Sequence, residues 1–230
     1  MALDHELRRW APPDVSMLFT RTPYHPLPVT VEMAERVASD IDVRDGIRNL
    51  SSVAPDAYVY ACTSGSFVHG LAGERALREA MHEAGAQVAV TAAGSLLEAL
   101  RHLGVSRIAV ATPYDAAVTE RMHAFLGEAG VEVVASAHLG LTERIWRVPY
   151  RTTAEVVASV DDDRAEAVVV SCTNLATYDL VAPMERRLGK PVVSANQATV
   201  WEVLRALGRQ AVGEGQRLVE ATMTPAGGTA

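Results

Sequence analysis

The chain contains two cysteines, Cys62 and Cys172, and both stand in the same local setting. Pro55 to Ser64 reads Pro-Asp-Ala-Tyr-Val-Tyr-Ala-Cys-Thr-Ser, and Ala165 to Asn174 reads Ala-Glu-Ala-Val-Val-Val-Ser-Cys-Thr-Asn. Each is an acidic residue, an apolar strand-like run, a small residue, then Cys-Thr and a polar residue. The cysteines are 110 positions apart, about half of the 230-residue chain. A thiol just past the carboxyl end of a strand and ahead of a helix meets backbone N–H groups that favour thiolate and also bind carboxylates. Such a thiol can serve as a nucleophile or as a proton donor and acceptor. One cysteine so placed is explained by core packing, because free Cys is among the most buried residue types. Two at equivalent points of a repeat ask for a shared task. Neither lies in a Cys-x-x-Cys or His-rich context, so no metal site is expected.

The elements that must position these sulfurs are short β-branched runs alternating with helical patterns. The runs Ser16 to Thr20, Ala57 to Ala61, Gln87 to Thr91, Arg107 to Ala111, Val131 to Ala135, Ala167 to Ser171 and Pro191 to Ser194 read as strands. Several are almost wholly apolar, as parallel strands covered on both faces are. Leu77, Ala80, Met81 and Ala84 share a helix face that ends at Gly85. Val118, Met122, Phe125 and Leu126 share another, with Asp115 as N-cap and Gly130 past the end. Val200, Val203, Leu204 and Leu207 form a third. Strand–helix alternation implies βαβ units and a mostly parallel sheet, and the repeat implies two such halves. Ligands of open α/β sheets bind outside the carboxyl ends of the strands, where both cysteines fall. Arg21, between Thr20 and Thr22 at the end of the first run, is a candidate to pair with a carboxylate if that strand points into the cleft. His69 reads as a helix-face histidine, and Thr222 to Ala230 as a loose tail.

Composition narrows the partners. A formal net charge of −7 with no lysine- or arginine-rich run gives no nucleic-acid groove, and every apolar stretch is too short to span a membrane. The N-terminal residues carry Asp4, His5, Glu6, Arg8 and Arg9 and do not form a signal peptide, so a cytoplasmic, reducing setting without a structural disulfide is expected. No Gly-x-Gly-x-x-Gly or phosphate loop offers a nucleotide cofactor a seat, and no cofactor is expected.

Four motifs occur in order: Tyr60-Ala-Cys62-Thr63-Ser64-Gly65-Ser66-Phe67, Ala111-Thr-Pro-Tyr114, Val170-Ser-Cys172-Thr173-Asn174 and Gly189-Lys-Pro-Val-Val-Ser194-Ala. Together they resemble the aspartate/glutamate racemase superfamily, and within it the maleate cis-trans isomerase and arylmalonate decarboxylase branch, over about residues 4 to 208. The resemblance implies an α/β fold of two flavodoxin-like parallel-sheet half-domains related by a pseudo-twofold axis. Residues 1–92 with 195–230 would form one half and 93–194 the other. The active site would lie between them and work without a cofactor on a small carboxylate or dicarboxylate.

It also implies roles. Cys62 would add to a substrate double bond, and Cys172 would supply or remove the proton on the opposite face. Thr63, Ser64 and Tyr114 would hold a substrate carboxylate, with the N–H groups near Thr173 and Asn174 doing so on the other side. Arylmalonate decarboxylases keep only the second cysteine, so Cys62 argues against a pure decarboxylase. Departures accompany the match. Family members begin with a strand and a loop bearing a carboxylate-binding asparagine, whereas this sequence starts within the following helix, at about Leu3 to Trp10. Thr142, Glu143 and Arg144 stand where the family often supplies another asparagine. A racemase or epimerase using the same pair for two-base proton transfer, or a small-carboxylate binding protein on a degraded scaffold, are the alternatives. Family members are commonly oligomers, and a homo-oligomer is possible on that basis.

Overall fold

In a computed structural model the protein is described over residues 2–221, so the expectation for Thr222 to Ala230 lies outside the described residues. Helix α1 (Ala2–Trp10) is followed by a stretch of irregular backbone to residue 30, and then by α2 (Val31–Val37) and α3 (Asp40–Leu50). The first half-sheet is β1 (Tyr58–Tyr60) paired in parallel with β2 (Ala89–Thr91). Between them run α4 (Thr63–Phe67) and α5 (Gly70–Glu83), and α6 (Ala92–Leu103) follows.

The second sheet has the order β4-β3-β5-β6, all parallel, with β3 (Arg107–Thr112), β4 (Glu132–His138), β5 (Ala167–Val170) and β6 (Val192–Ser194). Helices α7 (Ala116–Glu128), α8 (Tyr150–Ser159) and α9 (Tyr178–Leu188) connect its strands, and α10 (Ala195–Ala206) and α11 (Arg217–Ala221) follow. The chain is thus an α/β fold with parallel sheets in two halves, as expected.

The central strands of the second sheet are buried on both faces: Ile108, Ala109, Val110 and Ala111 of β3 and Ala167 to Val170 of β5 are all 0% exposed. Continuous apolar runs form such strands because helices cover both sides. The helix boundaries follow from their caps. The Asp115 carboxylate accepts from the Val118 N–H at 2.9 Å, Thr91 Oγ1 from Gly94 at 3.0 Å, and Ser194 Oγ from Gln197 at 3.2 Å. Gly85, at φ +110°, takes the left-handed turn that ends α5.

One expected strand is not formed. Ser16 to Thr20 has no ladder partner, and its surroundings come instead from α1. The Arg8 guanidinium donates to the Met17 carbonyl at 3.0 Å and lies 5.1 Å from the Phe19 ring centre. An apolar run becomes a strand only where a neighbour offers hydrogen bonds, and the first half-sheet stops at β1.

Candidate active site

At the ends of β2 and β6 a hydroxyl caps the next helix, but at the ends of β1 and β5 the chain places a cysteine. Cys62 is the residue before α4 and its side chain makes no capping bond. Its Sγ lies 3.8 Å from Ser64 Oγ, and it is half-buried. Cys172 is buried and holds φ at +92°, a left-handed conformation that side chains with a Cβ rarely adopt. Such strain costs about 1–3 kcal/mol and persists where the surroundings over-determine it, often at functional sites.

The two loops meet. Thr173 Oγ1 donates to the Ala61 carbonyl at 3.1 Å, joining residues 112 positions apart. Cys62, Cys172, Thr63, Ser64, Tyr114, Thr173, Asn174 and Arg21 all line one cavity of about 580 Å³. Both halves contribute to it, together with the irregular segment from Leu18 to Val29. That segment is tied down where the Val29 N–H donates to the Thr142 carbonyl at 2.7 Å.

The sulfurs differ in environment. Burial pushes the Cys172 thiol up to about 11, and the negative charge of Cys62 adds to the rise; the Tyr114 hydroxyl and the N–H groups of Asn174 and Leu175 pull it down. Burial also holds the Tyr114 hydroxyl well above its usual range, as does the charge of either thiolate. At neutral pH Cys172 is therefore a thiol, with a proton to give.

Near Cys62, the Thr63 hydroxyl is buried with no hydrogen-bond partner among the described residues, as is Asn174 Oδ1. A buried polar atom without a partner is costly, and both residues belong to the cavity lining. The Asn174 side chain can present either end of its amide to a ligand.

The remaining expected residues have other duties as well. The Thr173 hydroxyl is taken by Ala61. Arg21 stands at the cavity with its guanidinium ion-paired to Asp4, so its carboxylate is supplied from within the chain. His69 is exposed. Tyr60 and His25 also line the cavity, beyond the residues expected at the site. Tyr60, two positions before Cys62, donates its hydroxyl to the Val37 carbonyl at 2.6 Å, and His25 Nε2 lies 3.7 Å from Asp42. The alternation of β1 turns Tyr58 and Tyr60 inward and Val59 outward, which is the signal that marks Tyr60. The cavity lining also has an apolar share, with Leu18, Phe19, Leu27, Val29 and Met33 among its residues. A ligand thus meets sulfur, hydroxyl and amide groups as well as hydrocarbon. No group of three or more His, Cys, Asp or Glu side chains among the described residues is placed to hold a metal ion, and none of the described helices is long and apolar enough to cross a membrane.

Comparison with known proteins gives a consistent set. Residues 12–219 match the family described as arylmalonate decarboxylase. The arylmalonate decarboxylase of Bordetella bronchiseptica is 39% identical over 153 residues, 64% of this chain and 62% of that protein, so the matched stretch falls short of two thirds of the decarboxylase. The maleate isomerase of Pseudomonas putida is 30% identical over 185 residues, covering 77% of this chain and 74% of the other. Among solved structures, the Nocardia farcinica maleate cis-trans isomerase, a cysteine-to-serine variant with a covalently bound succinylcysteine intermediate, superposes with a TM-score of 0.83 at 25% identity, over 94% of this chain and 91% of that one. An arylmalonate decarboxylase double variant in its liganded form gives 0.78 at 34% identity, over 84% of each chain.

Proposed function

The chain belongs to the arylmalonate decarboxylase family, and from that premise we propose that it is an isomerase of the maleate type, converting a small cis-unsaturated carboxylate or dicarboxylate to its trans form without a cofactor. The observation that carries this is the pair of unlike sulfurs lining one cavity, a half-buried Cys62 and a buried, protonated Cys172. The succinylcysteine in the Nocardia isomerase supports sulfur addition as the chemistry.

In the proposed sequence the Cys62 thiolate forms a C–S bond to one carbon of the substrate double bond. The π electrons move toward the carboxylate on the neighbouring carbon, giving an enediolate, and the Cys172 thiol protonates that carbon. The former double bond is now single and rotates. Cys172 takes the proton back, the double bond re-forms, and Cys62 leaves as thiolate. Thr63 and Ser64, with Tyr114, hold the carboxylate where charge develops, an oxyanion-hole role. Proton NMR of the protein with maleate in D₂O tests the reading. Fumarate should form with the parent and not with Cys62→Ala or Cys172→Ala; no turnover by the parent of maleate or of substituted maleates would count against it.

A second reading draws on the apolar share of the lining, Leu18, Phe19, Leu27, Val29 and Met33. It suits an acidic α-carbon bearing an apolar or aryl substituent, which the same two sulfurs would deprotonate and reprotonate as a racemase. Obligatory entry of deuterium at that carbon separates the two.

A further inference from the structure

One buried carboxylate has no part in that chemistry. Glu6, on α1, is 2% exposed and lies outside the cavity lining. Its Oε1 accepts from the Thr177 N–H at 2.7 Å, the Tyr178 N–H at 2.9 Å and the Tyr150 hydroxyl at 2.7 Å. Its Oε2 accepts from the Thr177 hydroxyl at 3.2 Å and from Asn196 Nδ2 at 3.0 Å. A buried carboxylate with this many donors is a rigid anchor rather than a solvated charge.

The bonds run on toward the sulfur. The same Asn196 Nδ2 donates to the Thr173 carbonyl at 3.1 Å, and the Thr177 hydroxyl, donating to Glu6, also lies 3.0 Å from Ser194 Oγ. The loop from Cys172 to Thr177 is thus held at its far end by Glu6 and at Thr173, next to the cysteine, by Asn196. At its near end sits Cys172 with its left-handed backbone. Glu6 reaches this loop from 171 positions away in the sequence, on a helix that belongs to neither sheet.

We propose that Glu6 is a positioning residue for Cys172: by clamping Thr177 and Asn196 it holds the loop in the turn that carries the sulfur, where the Leu175 N–H donates to the Cys172 carbonyl at 3.2 Å. This deepens the proposed function, since it rests on Cys172 acting as the acid and base. A network of this kind acts as a unit, so loosening one member relaxes the others.

Glu6→Gln tests it with little change of volume, because one carboxylate oxygen becomes an NH₂ group facing other donors. In a Cys62→Ala background, the pH dependence of Cys172 alkylation by iodoacetamide is measured beside the melting temperature. Loosening the loop weakens the hold of its N–H groups, which lower the thiol, and should move the alkylation midpoint up by about half to one unit, so the rate below the midpoint falls ~3- to 10-fold. Asn196→Ala, which removes the link to Thr173 and leaves four bonds to Glu6, should shift the midpoint the same way and keeps the test open if Glu6→Gln does not fold. An alkylation profile that superposes on the parent's, or moves to lower pH, would overturn the proposal whatever the melting temperature does. The readout needs no substrate, so a failure of maleate to turn over is distinguishable from a failure of this inference. With turnover, kcat should fall while KM stays within about twofold.

Discussion

Taking the protein from about pH 8 to about pH 11 should cost it stability through Cys172 alone. Burial raises this thiol from 9.0 to about 11 in the folded chain. A folded-state value above the unfolded one means that the native protein binds the proton more tightly. The resulting stabilisation is fully present below about pH 9 and is lost as the pH rises through about 11. A difference of about two units at ~1.4 kcal/mol each sets the scale at 2–3 kcal/mol. Urea unfolding at the two pH values, for the parent and for Cys172→Ala, gives the comparison. The variant loses packing at both pH values, so the informative quantity is how much further each falls on going to high pH. Tyr60 and Tyr114, also raised by burial, contribute to both proteins, and the parent should lose about 2 kcal/mol more. In Cys62→Ser, without the neighbouring charge, the Cys172 titration should fall below the parent's but stay above the free-thiol value. If the parent and Cys172→Ala lose equal stability, burial does not hold the proton on Cys172, and its assignment as the acid loses its physical basis.

Three further outcomes follow from the geometry. Thr173→Val removes the bond to the Ala61 carbonyl that joins the two cysteine loops; thermal denaturation should show a loss of about 1–2 kcal/mol, and turnover of the folded protein should fall with it. Gly65→Ala would drive a Cβ into the Tyr60 hydroxyl and to 3.1 Å from Val37, so a destabilisation of about 1–3 kcal/mol is expected, relieved in the double variant with Tyr60→Phe. Asp4→Asn frees the half-exposed Arg21 from its ion pair, and KM for a dicarboxylate should drop, by no more than about fivefold because an exposed pair is worth under about 1 kcal/mol; an unchanged KM would take Arg21 out of the binding site.

Much of this arrangement is legible in the linear order of residues. The Cys-Thr repeat places both sulfurs at strand ends, and the apolar runs mark β1 to β6 to within a few residues, because strands buried on both faces leave little room for polar positions. Asp115 and Gly130 bound α7 as their capping chemistry requires. What the sequence hides depends on partners rather than on residue type. Ser16 to Thr20 has a strand's composition and no ladder to join, and together with the segment after it lines the cavity instead. Glu6 looks like one more charge on a polar N-terminal helix, and only the fold reveals that it is buried against Thr177 and Asn196. Arg21 has the right charge at the cavity, but Asp4 from the preceding helix meets it first. Tyr60 stands out in the sequence as part of a motif and not as a wall of the site, because its inward turn depends on the pleat of β1.

The central claim is that Cys62 is the nucleophile and Cys172 the proton carrier. Incubating Cys172→Ser with maleate, digesting and mapping the sulfur-bound adduct by mass spectrometry tests it most directly. Without the second thiol the addition product should accumulate, and one substrate molecule should be found on Cys62. If the parent converts maleate while its Cys172→Ser variant carries no adduct at Cys62, and Cys62→Ser carries one at Cys172, the roles assigned to the two sulfurs are reversed and the account is contradicted.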